Sequence, residues 1–184
     1  MLDYVAGEPI SKLVYTNSPL PEGSVARILY GCSLGLSALH TVGIMHGDVA
    51  PSNVIVDQHH TRATLIDVEP TNSQGRSRGT PATMSPEVAS GEQTTPLSDI
   101  YSLGCLAYFM LTGTHVFAGT TSLEICWKQK NHPCPKLSTA LPTSPSRNRF
   151  QLANLVDQML EKQPSQRPAS AAVVAEQLSS LVES

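Results

Sequence analysis

The run His46-Gly47-Asp48-Val49-Ala50-Pro51-Ser52-Asn53, with Asp67 fourteen residues beyond Asn53, sets two carboxylates and a carboxamide at a spacing suited to phosphoryl transfer. One carboxylate can take or orient the proton of an attacking hydroxyl. The amide oxygen and the second carboxylate are hard donors that can hold magnesium between phosphate oxygens. A complete enzyme of this type also needs a phosphate-cradling segment upstream, and 45 residues precede His46.

The elements that must position these residues are mostly helical. Residues 1–10 read as an extended stretch ending at Gly7 and Pro9. From Ser24 the apolar positions Val25, Ile28, Leu29, Cys32, Leu36 and Leu39 follow helical spacing up to about Gly43. Ile44-Met45 then reads as a short strand entering the His46 loop. Val54–Val56 and Ala63–Ile66 are short apolar runs joined by the polar turn Asp57–Thr61, which predicts a hairpin. Residues 70–84 read as an irregular loop. The segment 97–112 is apolar on most faces, which predicts a helix buried at the centre of the domain. A shorter helix is expected near 121–130, and 131–149, with four prolines, reads as a flexible loop. Leu152, Leu155, Val156, Met159 and Leu160 mark an amphipathic helix. Ser170 can cap a last helix burying Val174, Leu178, Leu181 and Val182. The expected class is mainly α with a few short β-strands, in one domain over 1–184.

Composition narrows the function. The net charge of −3 argues against nucleic acid as the main partner. The chain contains no apolar run of about 18 residues that could span a membrane, and Met1-Leu2-Asp3-Tyr4 lacks the basic start of a secretory signal. Cys32, Cys105, Cys126 and Cys134 form no CxxC pair, which fits reduced thiols in a cytoplasmic protein. His59-His60 lies in a polar turn with no cysteine or second histidine cluster beside it, so it reads as solvated loop and not as a metal site.

The order of motifs resembles the large, C-terminal lobe of a eukaryotic-type serine/threonine protein kinase of the kind bacteria also encode. His46–Asn53 resembles the catalytic loop, and Asp67-Val68-Glu69 stands at the metal-binding triplet. Gly79-Thr80-Pro81-Ala82-Thr83-Met84-Ser85-Pro86-Glu87 resembles the substrate-docking loop and its closing triplet, so 67–87 would be the activation segment. Ser98-Asp99-Ile100-Tyr101-Ser102-Leu103-Gly104 resembles the start of the central helix. Gln163-Pro164-Ser165-Gln166-Arg167-Pro168 resembles the segment before the final helices, and Asp3-Tyr4-Val5-Ala6-Gly7 the hinge, within 1–10.

The resemblance implies ATP, Mg2+ and a protein hydroxyl as substrate. Asp48 would be the catalytic residue, Asn53 and Asp67 the metal ligands, and Thr80 a substrate-docking residue. Asp3, Val5 and Ile55 would contact the nucleotide. His46, Glu87, Asp99 and Arg167 would be structural: Asp99 binding catalytic-loop amides, Glu87 and Arg167 forming a buried ion pair. The chain also departs from the family. With the hinge at 3–7, the small lobe with its glycine-rich loop and strand lysine is absent from these 184 residues. Gly47 stands where arginine is usual, Ala50 where lysine is usual, and Val68-Glu69 where phenylalanine and glycine are usual. The isolated chain is therefore expected to have little kinase activity. A pseudokinase scaffold is the alternative, and Gly47 and Glu69 also fit a small-molecule phosphotransferase of the aminoglycoside or choline kinase type. The face carrying Val5, Ile55 and Val68, left bare, would be an apolar partner site.

Overall fold

The computed structural model describes residues 5–17, 19–60, 62–68, 79–137 and 147–182. It is mainly helical with one small sheet. Strand β1 (Glu8–Pro9) leads into α1 (Ile10–Asn17) and α2 (Glu22–Thr41). Strands β2 (Val54–Val56) and β3 (Ala63–Leu65) follow, then α3 (Pro86–Ala89), α4 (Pro96–Thr112), α5 (Ser122–Asn131), α6 (Arg147–Met159) and α7 (Ala171–Val182). The sheet order is β1-β2-β3, antiparallel throughout, with Val54 opposite Leu65, Ile55 opposite Thr64 and Glu8 opposite Val56.

Helix α4 is the axis of the domain. Ile100, Tyr101, Leu103, Leu106 and Met110 are each 0% exposed, because the helix is apolar nearly all round and other elements cover it from several sides. Thr95 and Ser98 start it with a reciprocal capping pair, and Gly113 ends it at φ 75°. Gly104 permits a close approach of α4 to α6. A Cβ there would stand 2.9 Å from the Cβ of Met159 on α6. Helix α2 packs chiefly on α7, β3 and α4, burying Val25, Ile28, Leu29, Cys32 and Leu36. No described helix is long and apolar enough to cross a membrane.

Several elements differ from the sequence reading. Of residues 1–10 the structure describes 5–10, where β1 covers Glu8–Pro9; the helix α1, which the sequence reading did not include, begins at Ile10 and buries Ile10, Leu13 and Val14. Ile44-Met45 is not a strand. The Ile44 N–H is spent on Leu39 O at 3.0 Å, closing the last turn of α2, and so is not free for a ladder. The loop expected over 131–149 gives both ends to helix: α5 reaches Asn131 and α6 starts at Arg147, with 138–146 outside the described residues. Of the loop expected over 70–84, only 79–84 is described.

Candidate functional site

The loop after α2 is held from below by α4. Asp99, 1% exposed, accepts the backbone N–H of His46 at Oδ2 (2.9 Å) and of Gly47 at Oδ1 (2.9 Å). Its Oδ2 also meets His40 Nε2 at 2.8 Å. One carboxylate thus fastens the end of α2 and the loop start to the first turn of the central helix. Gly47 sits at φ 78°, in the left-handed region where a side chain would be strained. His46 is fully buried, and its Nδ1 accepts the Asp48 N–H at 3.3 Å.

This clamp aims Asp48 at Asn53. Asn53 Nδ2 donates to Asp48 Oδ2 at 2.8 Å and to Asp48 O at 3.0 Å, folding the loop back on itself. Asn53 Oδ1 accepts the Ser52 hydroxyl at 3.0 Å. The second carboxylate oxygen of Asp48, Oδ1, is buried and has no hydrogen-bond partner among the described residues. An acceptor in that state costs free energy until a donor arrives, which is what a general base offers to a hydroxyl.

The hairpin brings the next carboxylate to the same end. Ile66 N–H donates to Asn53 O at 2.9 Å, just before Val54 pairs with Leu65. Asp67, next in the chain, is exposed and sits at φ 56°, which is strained for a non-glycine residue. Asn53 and Asp67 therefore flank the same end of the hairpin, one just before β2 and the other just after β3. Ile55 on β2 and Val5 ahead of β1 are half-buried, while Val68 is 41% exposed. Asp3 and Glu69 lie outside the described residues.

Thr80 enters from another direction. A pocket of about 10 Å³, room for about one water, is lined by Gly47, Asp48, Thr80, Ser85 and Asp99. The 79–85 loop is thus seated beside Asp48. Its closing residues are anchored by Glu87 and Arg167. The Arg167 guanidinium donates from Nη1 and Nη2 to the two Glu87 oxygens at 2.7 and 2.8 Å. Its other N–H groups reach Leu97 O, Lys162 O and Glu161 O, so all five donors are used. Burial alone would lift the Glu87 carboxyl. Hydrogen bonds from Arg167 and Ser98 and the Arg167 charge outweigh it and hold the carboxyl below its ordinary value.

Two contributors were not singled out from sequence. His40 ends α2 and meets Asp99 across 59 positions, with no local signal. Gln129, fully buried on α5, donates to Pro81 O (3.4 Å) and Ala82 O (3.1 Å) and so ties α5 to the 79–85 loop.

A family model described as protein kinase domain matches residues 1–179. Relatives include a serine/threonine-protein kinase, drp72, of Corynebacterium efficiens, 30% identical over 98% of this chain and 35% of its own length. Serine/threonine-protein kinase pkn2 of Myxococcus xanthus is 33% identical over 97% of this chain and 23% of its own length. PknL of Mycobacterium tuberculosis is 28% identical over the whole chain and 47% of its own length. The chain spans a quarter to a half of these three relatives. It belongs to the protein kinase domain family.

Proposed function

From this membership in the protein kinase family we propose that the chain carries the phosphoryl-transfer half of a serine/threonine protein kinase, which moves the terminal phosphate of ATP to a protein hydroxyl. The observation that carries the reading is the Asp48–Asn53 hydrogen bond on a loop clamped by Asp99. Asp48 has one oxygen engaged and one buried without a partner among the described residues, so an incoming hydroxyl donates to Oδ1 and is oriented for attack. Asn53 Oδ1 and the Asp67 carboxylate form an all-oxygen set that fits Mg2+, and they would hold it. When bound, the ion supplies charge neutralisation at phosphate oxygens. Asp3, Val5 and Ile55 would line the nucleotide base, and Thr80 would face the protein substrate beside Asp48. The net charge of −3 and four unpaired cysteines support a cytoplasmic protein with protein partners.

The 184-residue chain alone transfers little phosphate, because its own residues include no glycine-rich loop and no strand lysine to cover a triphosphate. A second reading, a non-catalytic binding module, is favoured by Ala50, 1% exposed where the resemblance places a lysine. Radiolabelled transfer from Mg2+-ATP, measured on the chain alone and on the full-length gene product, separates these. We expect the full-length protein to transfer phosphate and Asp48→Asn to lower the rate by about 10²–10⁴-fold. Transfer unchanged in Asp48→Asn overturns the assignment of the base. No transfer from the full-length protein selects the binding module. Turnover by the isolated chain that vanishes in Asp67→Ala overturns its proposed weakness.

A further inference from the structure

The starts of α2 and α6 and the end of α7 line a cavity of about 210 Å³ that Asp48 does not border. It exists because Gly23 and Ala26, three positions apart and so on one face of α2, carry too little side chain to fill the space. Leu152 of α6 and Leu181 and Val182 of α7 supply the apolar part of its wall.

Arg27, four positions on from Gly23, lines the same cavity. Helical side chains lean towards the N-terminus, and its guanidinium reaches back over the first turn of α2. A Cβ on Gly23 would stand 3.9 Å from Arg27 Nη1 and 4.0 Å from Nη2. Arg27 Nε is buried with no hydrogen-bond partner among the described residues. No carboxylate among them pairs with the guanidinium. Glu22, the acid in the same wall, is taken by Arg149 Nε at 3.0 Å. A buried guanidinium N–H without an acceptor costs more free energy than a neutral donor in the same state. The Asn148 carboxamide stands in the wall as well, able to donate or accept.

We propose that this cavity binds a small monocarboxylic acid with a compact apolar body, its carboxylate on Arg27 and its body against Leu152, Leu181 and Val182. Arginine suits a planar carboxylate because its N–H groups form a rigid fork that matches two oxygens. A single negative charge follows from the charges present. Arg27 supplies one unpaired cation, and the Glu22 carboxylate in the wall opposes the second charge that a phosphate would bring. Small size follows from the volume, about 210 Å³, which lies below the roughly 300–1,000 Å³ of sites for drug-sized ligands. The bound acid ties the start of α2 to α6 and α7. This site is independent of the phosphoryl-transfer reading above and shares no residue with it.

The test titrates the isotopically labelled chain with benzoate and reads backbone amide shifts by nuclear magnetic resonance. The expected result is saturable shifts at Gly23, Ala26, Arg27 and Leu152, with a dissociation constant of about 1 mM or tighter. Benzyl alcohol has the apolar body without the charge, and inorganic phosphate has charge without the body. Each should bind at least about tenfold more weakly than benzoate. Arg27→Met keeps the apolar stem and should weaken benzoate by at least about tenfold. Should that variant not fold, the ratio of benzoate to benzyl alcohol affinity in the unaltered chain makes the same comparison without a substitution. Four results overturn the proposal: no saturable shift at these amides, benzyl alcohol binding as well as benzoate, phosphate doing so, or a folded Arg27→Met variant binding benzoate as the unaltered chain does. A capped Leu-Glu-Leu peptide should bind more weakly than benzoate. Tighter binding of that peptide gives the cavity to a protein partner and overturns the assignment to a small acid.

Discussion

Arg167→Met tests what holds the 79–87 segment against the helices. Glu87 is 9% exposed and receives two hydrogen bonds from Arg167 and one from Ser98 at 2.9 Å. Removing the guanidinium leaves that carboxylate buried with the Ser98 hydroxyl as its remaining side-chain donor. It also strips a donor from the carbonyls of Leu97, Lys162 and Glu161. Breaking a buried pair in this way costs about 3–5 kcal/mol, out of a total domain stability of about 5–15 kcal/mol. With a urea slope of about 2 kcal/mol/M, the unfolding midpoint followed by far-ultraviolet circular dichroism should fall by about 1.5–2.5 M. Glu87→Leu combined with Arg167→Met removes both charges together and should recover more than half of that loss. The pH dependence supplies a second reading. Glu87 is held below its ordinary value of 4.5 in the folded state, so its contribution is present above pH 4.5 and is lost as pH falls through the folded value. Stability should therefore drop more steeply on acidification in the unaltered chain than in the double variant. A single-variant loss under about 1 kcal/mol, or a double variant as unstable as the two singles added together, would refute the reasoning.

Three other outcomes follow from the packing. Asp99→Ala leaves the N–H groups of His40, His46 and Gly47 without their acceptor, so thermal unfolding should show a loss of about 3–5 kcal/mol. Amide exchange at His46 and Gly47 should rise most, and unchanged protection there would exclude the clamp. Gly104→Ala sets helix propensity, a gain of up to about 1 kcal/mol, against a Cβ 2.9 Å from the Met159 Cβ. Overpacking of about 1–3 kcal/mol wins, so the midpoint in urea should fall, and a rise would show that α4 and α6 separate freely. Burial pushes the Cys32 thiol up to about 12, so at pH 8 only about one molecule in ten thousand carries the folded-state thiolate. Alkylation of Cys32 should therefore track global unfolding in urea, and rapid labelling without urea would contradict its burial.

The parts of the fold and the candidate site that could be read in the sequence are those whose causes are local. Asn53 reaches Asp48 over five positions, so a single loop conformation makes the contact. Helix α4 announces its burial because apolar residues occupy nearly every face, a property of the segment alone. The hairpin β2–β3 follows from two short apolar runs and a polar turn. The errors arise where a distant partner decides. Helix α1 is short and holds β-branched residues, so its sequence gives it weak intrinsic preference. It forms because Ile10, Leu13 and Val14 are buried against the core. Ile44-Met45 has strand-like residues, yet the Ile44 N–H is consumed by the end of α2.

By itself, the sequence determined the mainly helical class, the central helix, and a loop that brings Asp48 and Asn53 within hydrogen-bond reach. Those depend on periodicity and on spacings of a few residues, where chain connectivity limits the outcomes. Tertiary structure alone decided that His40 shares Asp99 with the loop, that Gln129 braces the 79–85 loop, and that the Lys162 ammonium is held by the Tyr101 hydroxyl and Gln129 O. Each joins residues from 33 to 61 positions apart. At such separations the partner is chosen by how helices pack, through buried donors and charges that must be satisfied once water is excluded.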